Sequence, residues 1–196
     1  MAYSRSAVGI QSSVKAVFKQ LSQAWQGLTN EQILAWNAAA NSAQGKSVLG
    51  TKAKISGANL FMRLNYWVVY CGGQIMTAVP NLAGVVSPDS ATIVLSSSAM
   101  TFTLATIPSD VSNLKLVIQA SEPQGNGITR AYSKAAAFDS PYTPVATAID
   151  IKAKYDAKNG APTAGNPKVF FKYFYVNTAT GEKSGDVLVQ AKLASE

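Results

Sequence analysis

The sequence predicts an α+β chain: an N-terminal helical anchor of about three helices, followed by a C-terminal domain of seven short strands. Three observations predict it. Apolar residues recur at steps of three and four in the first 80 residues, helix caps and glycine stops punctuate the same stretch, and beyond a proline-bearing connector the pattern changes to period-two alternation between turn clusters. At 196 residues the chain is long enough for two small domains. The boundaries read as an N-terminal arm over 1–12, a helical assembly region over 13–80, a linker over 81–90 and the strand domain over 91–196.

Residues 1–12 are serine-rich and show no period, which reads as an extended arm. From there Val14, Val17, Phe18, Leu21, Trp25 and Leu28 form the apolar stripe of one amphipathic helix ending near Gly27. Thr29-Asn30-Glu31-Gln32 then reads as a capping box, in which the Thr29 hydroxyl takes the third amide of a new helix and the Gln32 side chain reaches back. This second helix runs through Ile33, Leu34, Trp36, Ala40 and Ala43 to Gly45. Its alanines let another backbone approach, with Trp25 and Trp36 as the large anchors. The stretch 45–55, GKSVLGTKAKI, reads as an exposed loop or short strand carrying Lys46, Lys52 and Lys54.

Ser56 is placed to cap a third helix that Gly72-Gly73 stops. Leu60, Phe61, Leu64, Trp67, Val68 and Cys71 make one apolar stripe along it. Met62, Tyr66, Val69 and Tyr70 leave its opposite side largely apolar as well, with only Asn59, Arg63 and Asn65 interrupting. A helix apolar nearly all round has to be buried. The region before the linker looks too small to do this alone, so neighbouring subunits are expected to share the covering. The candidate assembly interface is therefore Leu60, Phe61, Leu64, Trp67 and Val68, braced by Trp25 and Trp36.

Beyond the connector QIMTAVPNLAGVVSPDSA, seven segments read as strands: 92–97, 100–105, 114–121, 129–133, 148–155, 168–177 and 186–193. Pro108-Ser109-Asp110, Gly125-Asn126-Gly127, Asn159-Gly160 and Thr180-Gly181 supply turn chemistry between them. In 168–177 both alternating faces are mainly apolar, Val169, Phe171, Tyr173 and Tyr175 on one and Phe170, Phe174 and Val176 on the other, so this strand is expected to be central. About seven strands in roughly 100 residues is the density of an immunoglobulin-like or fibronectin type III β-sandwich. The cysteine pair and core tryptophan of antibody domains are absent from this half.

Absent residue types exclude much chemistry. With no histidine, the Ser-His-Asp triad, the Cys-His pair and every histidine metal site are ruled out, and a lone cysteine, Cys71, makes neither an intrachain disulfide nor a thiolate zinc site. The ten acids are spread along turns and strand ends, and no Walker loop, Rossmann glycine fingerprint or calcium loop is present. No catalytic, cofactor-binding or metal residues are expected, and the chain reads as a non-enzyme without a small-molecule substrate.

The net charge of +7 is placed unevenly: residues 1–80 carry seven basic residues against Glu31 alone, and residues 81–196 carry ten against nine acids. A nucleic-acid contact through Lys46, Lys52, Lys54 and Arg63 is the alternative reading, because scattered lysines supply the sequence-independent electrostatic part of such binding. A second alternative is a carbohydrate-binding or adhesion sandwich, with Tyr132, Tyr142, Tyr155 or Tyr173 stacking on sugar. The first thirty residues lack the apolar core of a signal peptide and no apolar run reaches membrane-spanning length, so no membrane partner is expected.

Two stretches carry a resemblance. Residues 25–36, WQGLTNEQILAW, and 56–65, SGANLFMRLN, together resemble a helical module of small structural proteins of tailed bacteriophages and prophage-like genes. The shared pattern is W-x-x-L-T-x-x-Q-x-x-x-W leading to S-G-x-N-L-F-x-x-L-N, and a β-sandwich can follow it. The resemblance implies a virion protein of capsid, neck or tail, folded in the host cytoplasm before assembly. Its partners would be other virion proteins and further copies of itself.

Overall fold

The computed structural model describes the backbone of residues 6–46 and 52–194, with side chains over 14–43 and 54–194. The chain forms two compact units, Met1–Ala83 with Thr178–Glu182, and Gly84–Asn177 with Lys183–Glu196. Among the described residues the architecture is α+β, with three of the four helices in the first unit and two antiparallel sheets in the second.

In the first unit, α1 (Ser6–Gln26), α2 (Asn30–Ala40) and α3 (Gly57–Tyr70) follow one another, with a short ribbon of β1 (Gln44–Lys46) and β2 (Lys52–Lys54) between the last two. Helix α1 begins at Ser6, so 6–12 is helix rather than the extended arm expected there; residues 1–5 lie outside the described residues. The expected capping box is present: the Gln32 amide donates to Thr29 Oγ1 at 3.3 Å and the Thr29 amide to Gln32 Oε1 at 2.9 Å. Helix α2 stops at Ala40, short of Gly45, and Leu34 from its expected apolar stripe is exposed. Helix α3 ends as a Schellman motif around Gly72, whose φ of +83° suits glycine, with Gly72 N donating to Val69 O at 2.9 Å and Gly73 N to Val68 O at 2.8 Å.

In the second unit, β3 (Ala91–Leu95), β4 (Met100–Leu104) and β7 (Ile149–Asp150) form one sheet in the order β3-β4-β7. The other has the order β6-β5-β8-β9, from β5 (Leu114–Ala120), β6 (Ala136–Ala137), β8 (Lys168–Asn177) and β9 (Val187–Lys192). One core joins the two sheets, with Leu95, Met100 and Phe102 from the first meeting Leu116, Ile118, Phe171 and Tyr173 from the second. Strand β8 is central, as its two apolar faces require, and Phe170, Phe174 and Val176 on the face away from this core are fully buried too. Tyr132 meets the Phe170 ring edge-on at 5.2 Å, and the Lys183 ammonium sits 4.0 Å over the Phe174 ring.

Two of the seven expected strands turn out differently. Residues 148–155 give only the two-residue β7 before helix α4 (Lys152–Asn159), because Ile149, Ile151 and Tyr155 mimic a period of two while Lys-Ala-Lys-Tyr-Asp-Ala-Lys favours helix. Only Tyr155 of α4 is buried, so no helical stripe marks it in the sequence; a Lys152–Asp156 pair at 2.6 Å bridges one turn of its surface. Residues 129–133 run into a 3-10 turn (Tyr132–Lys134), and the edge strand β6 follows it.

Polar side chains in this unit complete the backbone. The Tyr155 hydroxyl donates to Ser121 O at 2.8 Å, Ser121 Oγ takes the Phe170 amide at 3.1 Å, and Ser184 Oγ takes the Tyr175 amide at 2.9 Å. Tyr155→Phe is expected to leave the buried Ser121 carbonyl short of a donor and cost about 1–3 kcal/mol, measured by urea unfolding. Burial raises the Asp139 carboxyl, but hydrogen bonds from Tyr142 and Ser140 and the charge of Lys154 outweigh it and hold its pKa below the ordinary value. A carboxyl lowered in the folded state stabilises above its unfolded pKa of about 3.9 and loses that contribution as pH falls through the folded value. Asp139→Asn should therefore lower the thermal midpoint at pH 7, and the gap to wild type should close as pH drops below about 4.

Candidate assembly surface

The inner side of α3 is built around Phe61. Its ring lies 5.4 Å from that of Trp25 and 5.3 Å from that of Trp36, tilted to the first and edge-on to the second. Leu60, Leu64, Leu28 and Ala40 close the same cluster. Burying a side chain such as Phe61 contributes roughly 2–3 kcal/mol.

Backbone contact between α2 and α3 brings these rings together. Gly57, at the start of α3, donates its amide to Asn37 Oδ1 at 3.2 Å, and a Cβ on Gly57 would lie 2.7 Å from Asn37 N and 2.8 Å from the Trp36 carbonyl carbon. No larger residue fits that crossing. Ser56 caps the helix by accepting the Asn59 amide at 3.2 Å. Gly181, at φ +72° in the Thr178–Glu182 segment of this unit, approaches α3 so closely that a Cβ would run into the Leu64 carbonyl oxygen.

The stretch after α3 is part of this core. Asn65 is fully buried; its Oδ1 accepts the Met76 amide at 2.6 Å and its Nδ2 donates to Met76 O and Phe61 O, each at 3.2 Å. Trp36 Nε1 donates to Thr77 O at 2.9 Å, and Ile75, Met76 and Val79 pack against the cluster. A segment that reads as connector is thus strapped down by two side-chain clamps.

The candidate interface residues divide accordingly. Leu60, Phe61, Leu64, Val68 and Trp36 are buried within the single chain and reach no partner from there, while Trp25 and Trp67 are half-buried. The chain covers by itself the Leu60, Phe61, Leu64 and Val68 part of the stripe expected to need neighbours. The outer side of α3 stays open. Phe18 stacks on Tyr66 at 5.6 Å and 20°, Tyr66 on Tyr70 at 6.1 Å and 18°, and Trp67 meets both tyrosines edge-on. A shallow groove is lined by Phe18, Asn59, Met62, Arg63, Tyr66 and Trp67. Phe18 remains 46% exposed and Val14 37%, so the first half of the expected α1 stripe is surface. Partial burial pushes the Tyr66 phenol above its ordinary pKa, which keeps it neutral.

For the candidate nucleic-acid residues, the ribbon register pairs Lys46 with Lys52 and Gln44 with Lys54. Lys54 is exposed, as is Arg63 on the open side of α3, whereas the side chains of Lys46 and Lys52 lie outside the described residues. Of the four candidate sugar-stacking tyrosines, Tyr155 and Tyr173 are fully buried, Tyr142 donates to Asp139 Oδ2 at 2.7 Å and Tyr132 rests on Phe170. Burial pushes the Tyr173 phenol up to about 12, and its hydroxyl donates to Asp89 O at 3.0 Å. Among the described residues no group of three or more Cys, Asp or Glu could hold a metal ion, and no helix is long and apolar enough to cross a membrane.

Two substitutions test the crossing and the strap. Gly57→Ala should destabilise the helical unit by more than about 1 kcal/mol through overpacking, and Asn65→Leu by about 2–4 kcal/mol by orphaning the Met76 amide and carbonyl. Hydrogen exchange should show the loss over 57–79, and unchanged protection there would contradict both roles.

Compared with known proteins, the chain matches no family model, and no curated protein matches it.

Proposed function

We propose that this chain is a non-enzymatic structural protein of a tailed-bacteriophage particle, in which the helical unit anchors and an immunoglobulin-like sandwich is displayed or cements neighbours. The observation that carries the reading is the open aromatic row on the helical unit. Phe18 is exposed and Tyr66, Trp67 and Tyr70 are only partly buried, although the unit's own core is closed without them. Exposed aromatics gathered in one patch on a small folded unit mark a protein-binding surface.

Further support comes from the module pattern, because most of its positions serve the fold. Thr29 and Gln32 cap, Gly57 permits the crossing, Phe61 sits between Trp25 and Trp36, and Asn65 clamps. For the second unit, the strand orders β3-β4-β7 and β6-β5-β8-β9 favour the fibronectin type III variety of the immunoglobulin-like sandwich.

The test is incorporation. In a culture producing particles from the genome that encodes this chain, mass spectrometry of the purified particles should find the wild-type protein. The Tyr66→Ser/Trp67→Ser variant should fall about tenfold or more in the particles while retaining a cooperative melt, because central aromatic contacts carry most interface energy. Wild-type levels of that variant in particles would overturn the reading.

The second reading is nucleic-acid binding, favoured by the direct pairing of Lys46 with Lys52 in the ribbon and the nearby Lys54 position. It requires affinity for duplex DNA that falls steeply between about 50 and 200 mM salt, on the order of tenfold per few phosphate contacts. No binding at the low end removes it.

A further inference from the structure

We infer that the groove between α1 and α3 seats an acidic amphipathic helix of a different protein, its apolar side against Phe18, Met62 and Tyr66 and its carboxylates over Lys15 and Lys19. This rests on the anchoring role above and names the chemistry of the partner.

The ring geometry selects the class of partner. Tyr66 stacks with both Phe18 and Tyr70, so the faces of this middle ring are taken, and the Met62 side chain lines the groove with it. Bases bind aromatic platforms through their faces, and the middle ring of this row has both of its faces engaged. Aliphatic side chains pack well against ring edges and against methionine. Two neighbouring helices with a groove of about 390 Å³ between their side chains leave a seat for the side-chain ridge of a third.

Charge selects the partner within that class. The helical unit carries seven basic residues, Arg5, Lys15, Lys19, Lys46, Lys52, Lys54 and Arg63, against two acidic ones, Glu31 and Glu182, a net charge of +5. Lys15 and Lys19 are exposed, stand one helical turn apart on α1 and flank Phe18 in sequence. A second copy docking by the same face would set these lysines against themselves across the two-fold axis, which is repulsive. A carboxylate-rich helix gains from both lysines and buries the aromatic edges.

Site-directed photo-crosslinking tests the assignment in the particle-producing culture. The photoreactive residue p-benzoylphenylalanine replaces Asn59, which is exposed on the groove wall and whose side chain takes no part in the cap. The expected product is a crosslink to a carboxylate-rich helical segment of another protein. Lys15→Glu/Lys19→Glu should cut its yield about tenfold, and Lys15→Arg/Lys19→Arg should leave it unchanged, with melts matching wild type in both cases. Crosslinks to a second copy of this chain, to nucleic acid or to a segment without excess carboxylates overturn the assignment. So does the absence of a crosslink from a folded chain, or a yield indifferent to the charge reversal. The wild-type content of the particles is scored in parallel. A chain missing from them defeats the anchoring role whatever the crosslink shows, and a chain present in them without the crosslink defeats the docking assignment alone.

Discussion

The helical unit depends on one close approach, the crossing of α3 over α2 at Gly57. Only a residue without a Cβ lets the first turn of α3 rest on the Trp36–Asn37 backbone. That approach sets how far apart the two helices run, and so whether Phe61 meets the Trp36 ring at 5.3 Å. The polar groups near the crossing are matched: Asn37 takes the Gly57 amide, Ser56 caps the helix, and the Trp36 indole is satisfied by the strap at Thr77. An apolar core this small tolerates few unmet donors, since each costs about as much as a buried methylene or two contributes. Asn65 extends the same logic by holding Met76 through both its backbone groups.

The sequence was most legible where a signal is local. The Thr29–Gln32 capping box, the Ser56 cap and the Gly72 stop each need only a few adjacent residues, and each is present. Strand β8 was legible because ten residues of two-sided apolar alternation admit one environment, the middle of a sheet. What was not legible depends on partners distant in the chain. Residues 75–79 carry no period, and their place in the core follows from Asn65 and Trp36. Asn65, an asparagine set among apolar residues of the helix, was the available hint, since a buried amide must find partners. Helix α4 hides because one residue, Tyr155, does all its packing, and a single anchor has no periodicity.

The same distance between local and global signals explains the interface residues. Hydrophobicity along α3 showed that both of its sides are apolar, but not which side the chain itself would cover. Trp25, Trp36 and the strap take the stripe of Leu60, Phe61 and Leu64, and that leaves Tyr66 and its neighbours on the outside. Most residues expected to meet neighbours became the interior, Trp67 excepted, and Tyr66 and Tyr70, which merely made the helix greasy, line the open side with it.

Three tyrosines of the second unit are spent on structure. Tyr155, Tyr173 and Tyr142 each give their hydroxyl to a carbonyl or carboxylate oxygen, and burial raises all three phenols, so none ionises near neutral pH. Groups held in one protonation state across the physiological range do not shuttle protons. In the helical unit Lys15, Lys19 and Lys54 are exposed, and aromatic rings stack on one another between α1 and α3. Neither pattern adds much to folding: exposed lysines contribute little, and partly exposed rings forgo part of their transfer free energy. A surface that adds little to the isolated chain and combines apolar rings with one sign of charge is the kind that the proposed docking of a complementary protein face would use.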